Sequence, residues 1–95
     1  AGDLMCAEDQ ATQRRHCYAP TELREQDGIR TARYYSGGPK SVRATPYTIA
    51  INCGTLVTHL KDRDGVSFAG GQALTPPMRA LRDSICAKTI KPRRR

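Results

Sequence analysis

The stretch Tyr47-Thr48-Ile49-Ala50-Ile51-Asn52-Cys53 decides the fold, because it alternates larger apolar residues with small or polar ones. Alternate side chains of a β-strand point to opposite faces, so the odd-numbered residues would face a core and the even-numbered ones would face away. The pattern predicts a strand with Cys53 on its core-facing side, where a disulfide would be buried.

Strand and turn patterns also precede this stretch. Residues 29–36 are rich in Thr, Tyr and Ile and predict a strand, which the turn residues 37–39 end. Residues 41–45 predict a short strand, with Pro46 marking an edge or a break. The chain therefore enters the central stretch from a hairpin.

Two more strands are predicted after Cys53. Residues 56–61 alternate, with Leu56, Thr58 and Leu60 on one face. The sequence Asp62-Arg63-Asp64-Gly65 predicts a hairpin turn, because Asp and Gly tolerate positive φ. Residues 66–69 then predict a returning strand, with Val66 and Phe68 facing inward.

A C-terminal helix is predicted from Thr75, a good N-cap, and Pro76, which suits the first helical position, to about residue 87. Its apolar stripe consists of Met78, Leu81 and Ile85. The predicted fold class is α+β, a four- to five-stranded antiparallel sheet with the helix packed on one face and stapled by disulfides.

The N-terminal part of the chain differs in character. Residues 6–17 are rich in helix formers, without Pro or Gly, and predict a short helix or helical loop. Residues 18–28 predict one more helical turn, ended by Gly28, or a plain connector. We expect a single domain, residues 1–95, with an acidic segment 1–28, a sheet and helix over 29–91, and a basic tail 92–95.

Four cysteines, Cys6, Cys17, Cys53 and Cys86, stand in a short chain that has no Trp. Their even count predicts a disulfide framework, whereas their wide spacing and the lack of a C-x-x-C motif disfavour zinc. Of three connectivities we favour Cys6–Cys17, a local link, with Cys53–Cys86, which joins strand to helix. Disulfides predict export to the periplasm, the cell surface or the medium.

The ends of the sequence add little to this prediction. The start Ala1-Gly2-Asp3 fits a mature form left after leader cleavage, and an arbitrary boundary equally well. No apolar run approaches membrane-spanning length. The export prediction therefore depends on the cysteines.

The net charge of +7 is unevenly placed. Residues 1–28 carry six acids and three arginines, whereas residues 29–95 carry thirteen bases and three acids. The excess favours anionic partners, such as lipopolysaccharide, phospholipid headgroups, sulfated glycans or nucleic acid. The alternative is that the charge binds nothing, as in many basic exported proteins.

Cations and tyrosines alternate in the first strands and predict a binding surface. The alternative is a sheet face covered by snorkelling side chains. With the basic tail, the candidate residues are Arg30, Arg33, Tyr34, Tyr35, Lys40, Arg43, Arg93, Arg94 and Arg95.

Catalytic and metal sites find little support in the sequence. A two-histidine nuclease would need His16 and His59 to converge beside a cation. The candidate cations are Arg14, Arg43 and Lys61. Asp62 and Asp64 resemble the start of a calcium loop, but turn chemistry explains both. We therefore predict no catalytic residue, no metal ligand and no cofactor.

Several short segments carry a family resemblance: Tyr34-Tyr35, Ser41-Val42-Arg43, the stretch from Tyr47 to Cys53, Gly70-Gly71, and Leu81-Arg82-Asp83-Ser84-Ile85-Cys86. With them, the chain from Ile29 to Cys86 resembles the surface-adhesin protein E family of Gram-negative bacteria. The resemblance implies an antiparallel sheet, a C-terminal helix, a Cys53–Cys86 bridge, and adhesion to host matrix and serum proteins. The segment with Cys6 and Cys17 has no counterpart in it.

The predicted function is that of a non-enzymatic exported binding or accessory protein, an adhesin-like module. Its expected partner is another protein or an anionic envelope or matrix surface, with nucleic acid less favoured. One alternative is an immunity or inhibitor protein that inserts a rigid loop, such as 62–65 or 37–40, into a partner's cleft. A second alternative is a secreted basic nuclease or toxin.

Overall fold

Strands are the commonest element of the described chain, which covers residues 3–65, 67–68 and 74–90 in the computed structural model. These residues form seven strands, a single 3-10 turn and one helix. The elements are β1 Met5–Glu8, β2 Arg15–Tyr18, the 3-10 turn Pro20–Glu22, β3 Arg24–Gln26, β4 Ile29–Gly37, β5 Val42–Asn52, β6 Thr58–Lys61, β7 Ser67–Phe68 and α1 Pro76–Ala87. The fold is α+β, as predicted.

All strand pairs are antiparallel, in the order β1-β2-β4-β5-β6-β7. β3 lies off this path and pairs with the first residues of β4, while β2 pairs with the last residues of β4 on the same edge. The described sheet exceeds the four or five strands predicted, because the N-terminal segment contributes β1, β2 and β3.

Residues 6–17 form a β-hairpin, so the predicted helix or helical loop is wrong. Cys6 lies directly opposite Cys17 across the β1–β2 pair, and the two form a disulfide. Helix propensities differ by tenths of a kcal/mol per residue, and a helix this short is marginal in water. Pairing of β2 with β4 and full burial of Tyr18 outweigh that preference.

Residues 18–28 contain the predicted helical turn, but Gly28 does not end it. The 3-10 turn stops at Glu22, and β3 follows. Asp27 and Gly28 then have φ values of 55° and 80° and connect β3 to β4 as a tight hairpin. This is the position where a Gly is needed, since two consecutive residues with positive φ suit the turn that matches strand twist.

β5 is one continuous strand, so Pro46 does not break it. The β4–β5 register changes between Arg33 and Tyr35, where three residues of β5 face one residue of β4. Thr45 stabilises the irregularity: its Oγ1 donates to the Tyr34 carbonyl (2.6 Å) and accepts the Tyr47 N–H (3.1 Å). Pro46 has no backbone N–H to donate. Because it lies in the bulge, this does not remove a hydrogen bond between β4 and β5.

The two predicted hairpin turns are present. In the first, a Cβ on Gly37 would lie 2.0 Å from the Ser41 carbonyl oxygen, so the chain closes too tightly for any larger residue. In the second, the Gly65 N–H donates to the Asp62 carbonyl at 3.1 Å. Val66, the Phe68 side chain and the tail 92–95 lie outside what the structure describes.

The core lies between the sheet and α1, as the alternation of the central stretch predicts. Ile49 and Ile51 of β5 are fully buried, and so is Ile85 of the predicted helix stripe. Leu81 is 1% exposed, and Met78 packs against the same cluster. Each such side chain contributes roughly 1.5–3 kcal/mol of hydrophobic stabilisation. The Cys53–Cys86 disulfide ties the end of β5 to α1 at this layer. Cys53 directly follows the last residue of β5 instead of lying within the strand, and both cysteines are half-buried, not fully buried as predicted.

Arg30 holds the C-terminal end of α1 against the sheet. Its Nη1 donates to the carbonyl oxygens of Ile85 (2.6 Å) and Lys88 (2.5 Å), and its Nε donates to Glu25 Oε1 (2.7 Å). The last carbonyls of a helix lack intrahelical partners and carry negative partial charge. A guanidinium group donates hydrogen bonds to these carbonyls and also offsets their charge. The Arg30 side chain is only 15% exposed.

Replacing Arg30 should destabilise the fold, whereas replacing Arg33 on the same strand should not. Arg30→Ala removes charge-assisted hydrogen bonds and should lower the free energy of unfolding by about 2–3 kcal/mol. Arg33→Ala, at an exposed position, should change it by less than about 0.5 kcal/mol. Urea denaturation of both variants measures the difference, and equal effects would contradict this account of Arg30.

The two disulfides should contribute unequally. They close loops with sequence separations of 11 and 33 residues. In the chain-entropy account, removing Cys6–Cys17 by double Ala substitution costs about 3 kcal/mol and removing Cys53–Cys86 costs about 4 kcal/mol. Chemical denaturation of the two double variants tests this order, and non-reducing mass mapping verifies the remaining link in each.

Candidate binding surface

The sheet has two unlike faces. One face packs on α1, as the Tyr18 Oη to Ser84 Oγ contact of 2.9 Å and the Arg30 contacts show. Among the described residues, no helix covers the opposite face, which we call the helix-free face. Its side chains come from alternate strand positions and include Arg24, Ile29, Thr31, Arg33, Tyr35, Ala44, Thr48, Ala50, Asn52, His59 and Lys61.

Strand register lines these side chains up in rows across the sheet. Arg33, Thr48 and Lys61 form one row over β4, β5 and β6. The next row runs Arg24, Thr31, Ala50 and His59. Because directly opposite residues have Cβ atoms about 4.5–5.5 Å apart, each row is continuous. The small residues Thr31, Thr48 and Ala50 therefore lie in the middle of the rows and form the floor of this surface, and larger polar residues lie on either side.

The result is an open groove with a volume of about 410 Å³, which we call the sheet groove. Its lining residues are Ile29, Ala50, Asn52, Thr55, Val57, His59 and Lys61. Arg33 and Thr48 extend it through their row with Lys61. The groove therefore combines an apolar wall with a cationic one.

Positive charge in the groove is not neutralised locally. Arg33 and Lys61 are exposed, and within the described residues neither has a carboxylate partner. Arg24 is held at the β3 edge, where its Nη1 donates to the carbonyls of Thr21 (3.3 Å) and Leu23 (3.1 Å). Arg33, whose Nη1 also donates to the Thr45 carbonyl at 3.4 Å, and Lys61 therefore stay available to an anionic group.

The apolar end of the groove is shaped by Asn52. Its Oδ1 accepts the N–H groups of Gly54 (2.9 Å) and Thr55 (3.1 Å), and its backbone accepts from Leu56 N at 2.6 Å. Leu56 has a φ of 67°, a conformation that is unfavourable for a bulky residue. The turn thus presents Leu56 and Val57 to solvent, 43% and 47% exposed.

Tyr35 closes the other end of this face. Its hydroxyl donates to both carboxylate oxygens of Glu22, at 2.9 and 3.0 Å. Partial burial and the Glu22 carboxylate raise the pKa of Tyr35, so the phenol stays neutral at physiological pH. The 3-10 turn that carries Glu22 covers this end of the face and leaves the groove over β3 to β6 open.

The structure does not gather the sequence-predicted surface residues in one place. Arg33 and Tyr35 lie on the helix-free face, whereas Arg30 and Tyr34 point to the side of α1, and Tyr34 is 8% exposed. Lys40 lies in the β4–β5 turn, Arg43 lies on the α1 side, and Arg93, Arg94 and Arg95 lie outside the described residues. Period-two alternation separates residues that are neighbours in the sequence.

Sequence reasoning missed Arg24, Thr48, Val57 and Lys61 as members of one surface. The predicted alternation of residues 56–61 holds over β6, where His59 and Lys61 share a face, whereas Leu56 and Val57 lie before the strand and are exposed. What the sequence lacked was the register of β3, β5 and β6 against β4, which brings these residues together.

The two histidines lie on opposite faces. His16 is on the α1 side, where its Nδ1 contacts the Tyr34 hydroxyl at 2.5 Å, and His59 lines the sheet groove. β4 and β5 separate their strands. The convergence that a two-histidine nuclease requires is therefore absent.

The described residues contain neither a metal-binding cluster nor a membrane-spanning helix. In residues 3–65, 67–68 and 74–90, no three His, Cys, Asp or Glu side chains are grouped so that they would hold a metal ion. Over the same residues no helix is long and apolar enough to cross a membrane. Comparison of the chain with protein-family models, curated proteins and solved structures gave no match.

Proposed function

We propose that this chain is a non-enzymatic exported binding module that docks its helix-free face on an acidic surface of another protein. The observation that carries the proposal is the sheet groove, in which Arg33 and Lys61 flank Thr48 without a carboxylate partner among the described residues, while Val57 forms an exposed apolar end. Charge complementarity then selects the partner and apolar contact supplies affinity.

An acidic protein surface fits this groove better than nucleic acid does. Sequence-tolerant nucleic-acid sites combine a basic groove with aromatic side chains on which bases stack. The described lining of the sheet groove contains no Phe, Tyr or Trp, so His59 is its one ring, and the nearby Tyr35 hydroxyl is bound to Glu22. The small floor residues Thr31, Thr48 and Ala50 leave space for the side chains of a partner instead.

The two disulfides support a location outside the cytosol. Two disulfides are typical of a protein that folds in an oxidising compartment outside the cytosol. We propose the periplasm or the cell surface, where an adhesin-like module would meet host matrix or serum proteins. The inhibitor alternative requires one of the turns 37–40 or 62–65 to enter a partner's cleft, and it stays a prediction.

Charge reversal in the groove should weaken partner binding. Arg33→Glu with Lys61→Glu places two carboxylates opposite an acidic surface and should weaken binding by about tenfold or more. Immobilised wild-type protein is first used to capture binders from serum and from bacterial envelope extract. Surface plasmon resonance then measures the affinity of the purified binder for wild type and variant.

The matched control is Arg63→Glu with Arg79→Glu, which makes the same change in net charge at exposed positions outside the groove. The control should keep affinity within about twofold, since surface charge away from an interface acts mainly through screened long-range attraction. Equal losses of affinity in the two double variants, or loss of all binding at high salt, would mean that binding depends on net charge alone. Either result would overturn the proposal.

A further inference from the structure

A second cluster of polar side chains lies on the α1 side of the sheet and has no part in the sheet groove. Strand register places His16 of β2 beside Ser36 of β4, and Ser36 beside Arg43 of β5. The three side chains therefore share one face in one row. Arg14, in the turn before β2, reaches the same point, where its Nη2 donates to Ser36 Oγ at 3.0 Å.

Two side-chain contacts order the cluster. Ser36 accepts from Arg14, as above, and the Tyr34 hydroxyl contacts His16 Nδ1 at 2.5 Å. The rings of His16 and Tyr34 stack with centroids 6.0 Å apart. Tyr34 is 8% exposed, so it fixes His16 from the interior, while His16 and Ser36 are both half-buried.

Charge in this cluster is positive and uncompensated. Arg14 and Arg43 are exposed, and neither pairs with a carboxylate of the described residues. Asp9 is the acid whose charge acts on His16, and its Oδ1 accepts the Ala11 N–H at 2.9 Å within its own turn. The Arg14 guanidinium therefore bonds the Ser36 hydroxyl, and Arg43 stands beside Ser36 in the same row.

We propose that Arg14, His16, Ser36 and Arg43 form a binding site for a phosphate or sulfate group. Guanidinium groups present planar paired donors that match the oxygens of such an anion. The Ser36 hydroxyl and an imidazole N–H add two further donors at fixed positions. The partial burial of His16 and Ser36 reduces competition from water, which distinguishes this row from exposed arginines elsewhere.

His16 makes the site sensitive to pH. Burial first, and then the Arg14 guanidinium, lower the pKa of His16 below its ordinary 6.5, against an opposing effect of Asp9. The empty site thus holds a neutral imidazole at pH 7. A bound anion favours the protonated form, so by linkage anion affinity should rise as the pH falls through the His16 range. Tyr34 stays neutral throughout, because burial raises its pKa.

Titration of the full-length protein with sodium sulfate at constant ionic strength tests the site by NMR. Sulfate keeps its charge between pH 5.5 and 7.5, so any pH dependence belongs to the protein. The His16 imidazole and the Ser36 amide should shift with saturation, and binding should be about threefold or more tighter at pH 5.5. Arg14→Gln and Arg43→Gln should each weaken it about fivefold or more.

Three controls keep the result interpretable. Arg63→Gln removes an exposed arginine of the β6–β7 turn and should leave sulfate affinity unchanged. His16→Gln should abolish the pH dependence but retain binding at pH 7.5. Arg33→Gln with Lys61→Gln alters the sheet groove only and should not affect the sulfate titration, so failure of this site and failure of the proposed partner binding are distinguishable.

The source of the anion is resolved by two further probes. Tighter binding to heparin than to desulfated heparin would indicate a sulfated glycan. Tighter binding to vesicles that contain phosphatidic acid than to vesicles of phosphatidylcholine alone would indicate a lipid phosphate. Preference for either anionic probe, lost in Arg14→Gln and kept in Arg63→Gln, supports the site. Sulfate shifts spread equally over all exposed cations, or arginine variants that titrate like wild type, would overturn it.

Discussion

The structure depends on β4, which pairs with three other strands and carries different chemistry on its two faces. One edge pairs with β5, and the other is shared by β3 and β2. Toward α1 it sends Arg30, which bonds the helix end, and Tyr34, which contacts His16. Away from α1 it sends Arg33. A one-residue slip in β4 would exchange these faces, so the burial of Ala32 and Tyr34 fixes both surfaces at once.

Local signals predicted the parts of the fold in which short-range and long-range preferences agree. The alternation around Ile49 and Ile51, the N-cap and stripe of α1, and the turn at residues 62–65 each specify one structure, and the structure has them. The prediction for the N-terminal segment was wrong because its helix-forming residues favour a helix, whereas its packing environment favours a strand. Only the pairing of β2 with β4 reveals the strand, and that pairing joins residues about twenty positions apart.

The binding surface was even harder to predict from local sequence signals. Arg30, Arg33 and Tyr34 are close in sequence, and a basic aromatic surface was predicted across them, yet alternation sends Arg33 alone to the sheet groove. Lys61 joins Arg33 through Thr48, which requires the β4–β5 and β5–β6 registers together. The disulfide between Cys53 and Cys86 was predicted both from the residues and from the family resemblance, because a strand cysteine and a helix cysteine are visible locally. The resemblance itself stays a prediction.

Where the cations lie matters more than how many there are. Arg30 is committed to helix carbonyls and Glu25, and Arg82 is paired with Asp83, so neither adds to an external field. Of the cations that remain, two groups lie on opposite faces of one thin sheet. On one face Arg33 and Lys61 share a row and exposed Val57 lies farther along the groove, an arrangement that suits the broad, partly apolar contact we propose. On the other face Arg14 bonds Ser36 and Tyr34 contacts His16, an arrangement that suits the small anion and the pH dependence we propose for that site. On these two proposals, a single sheet separates two kinds of recognition that net charge alone would merge.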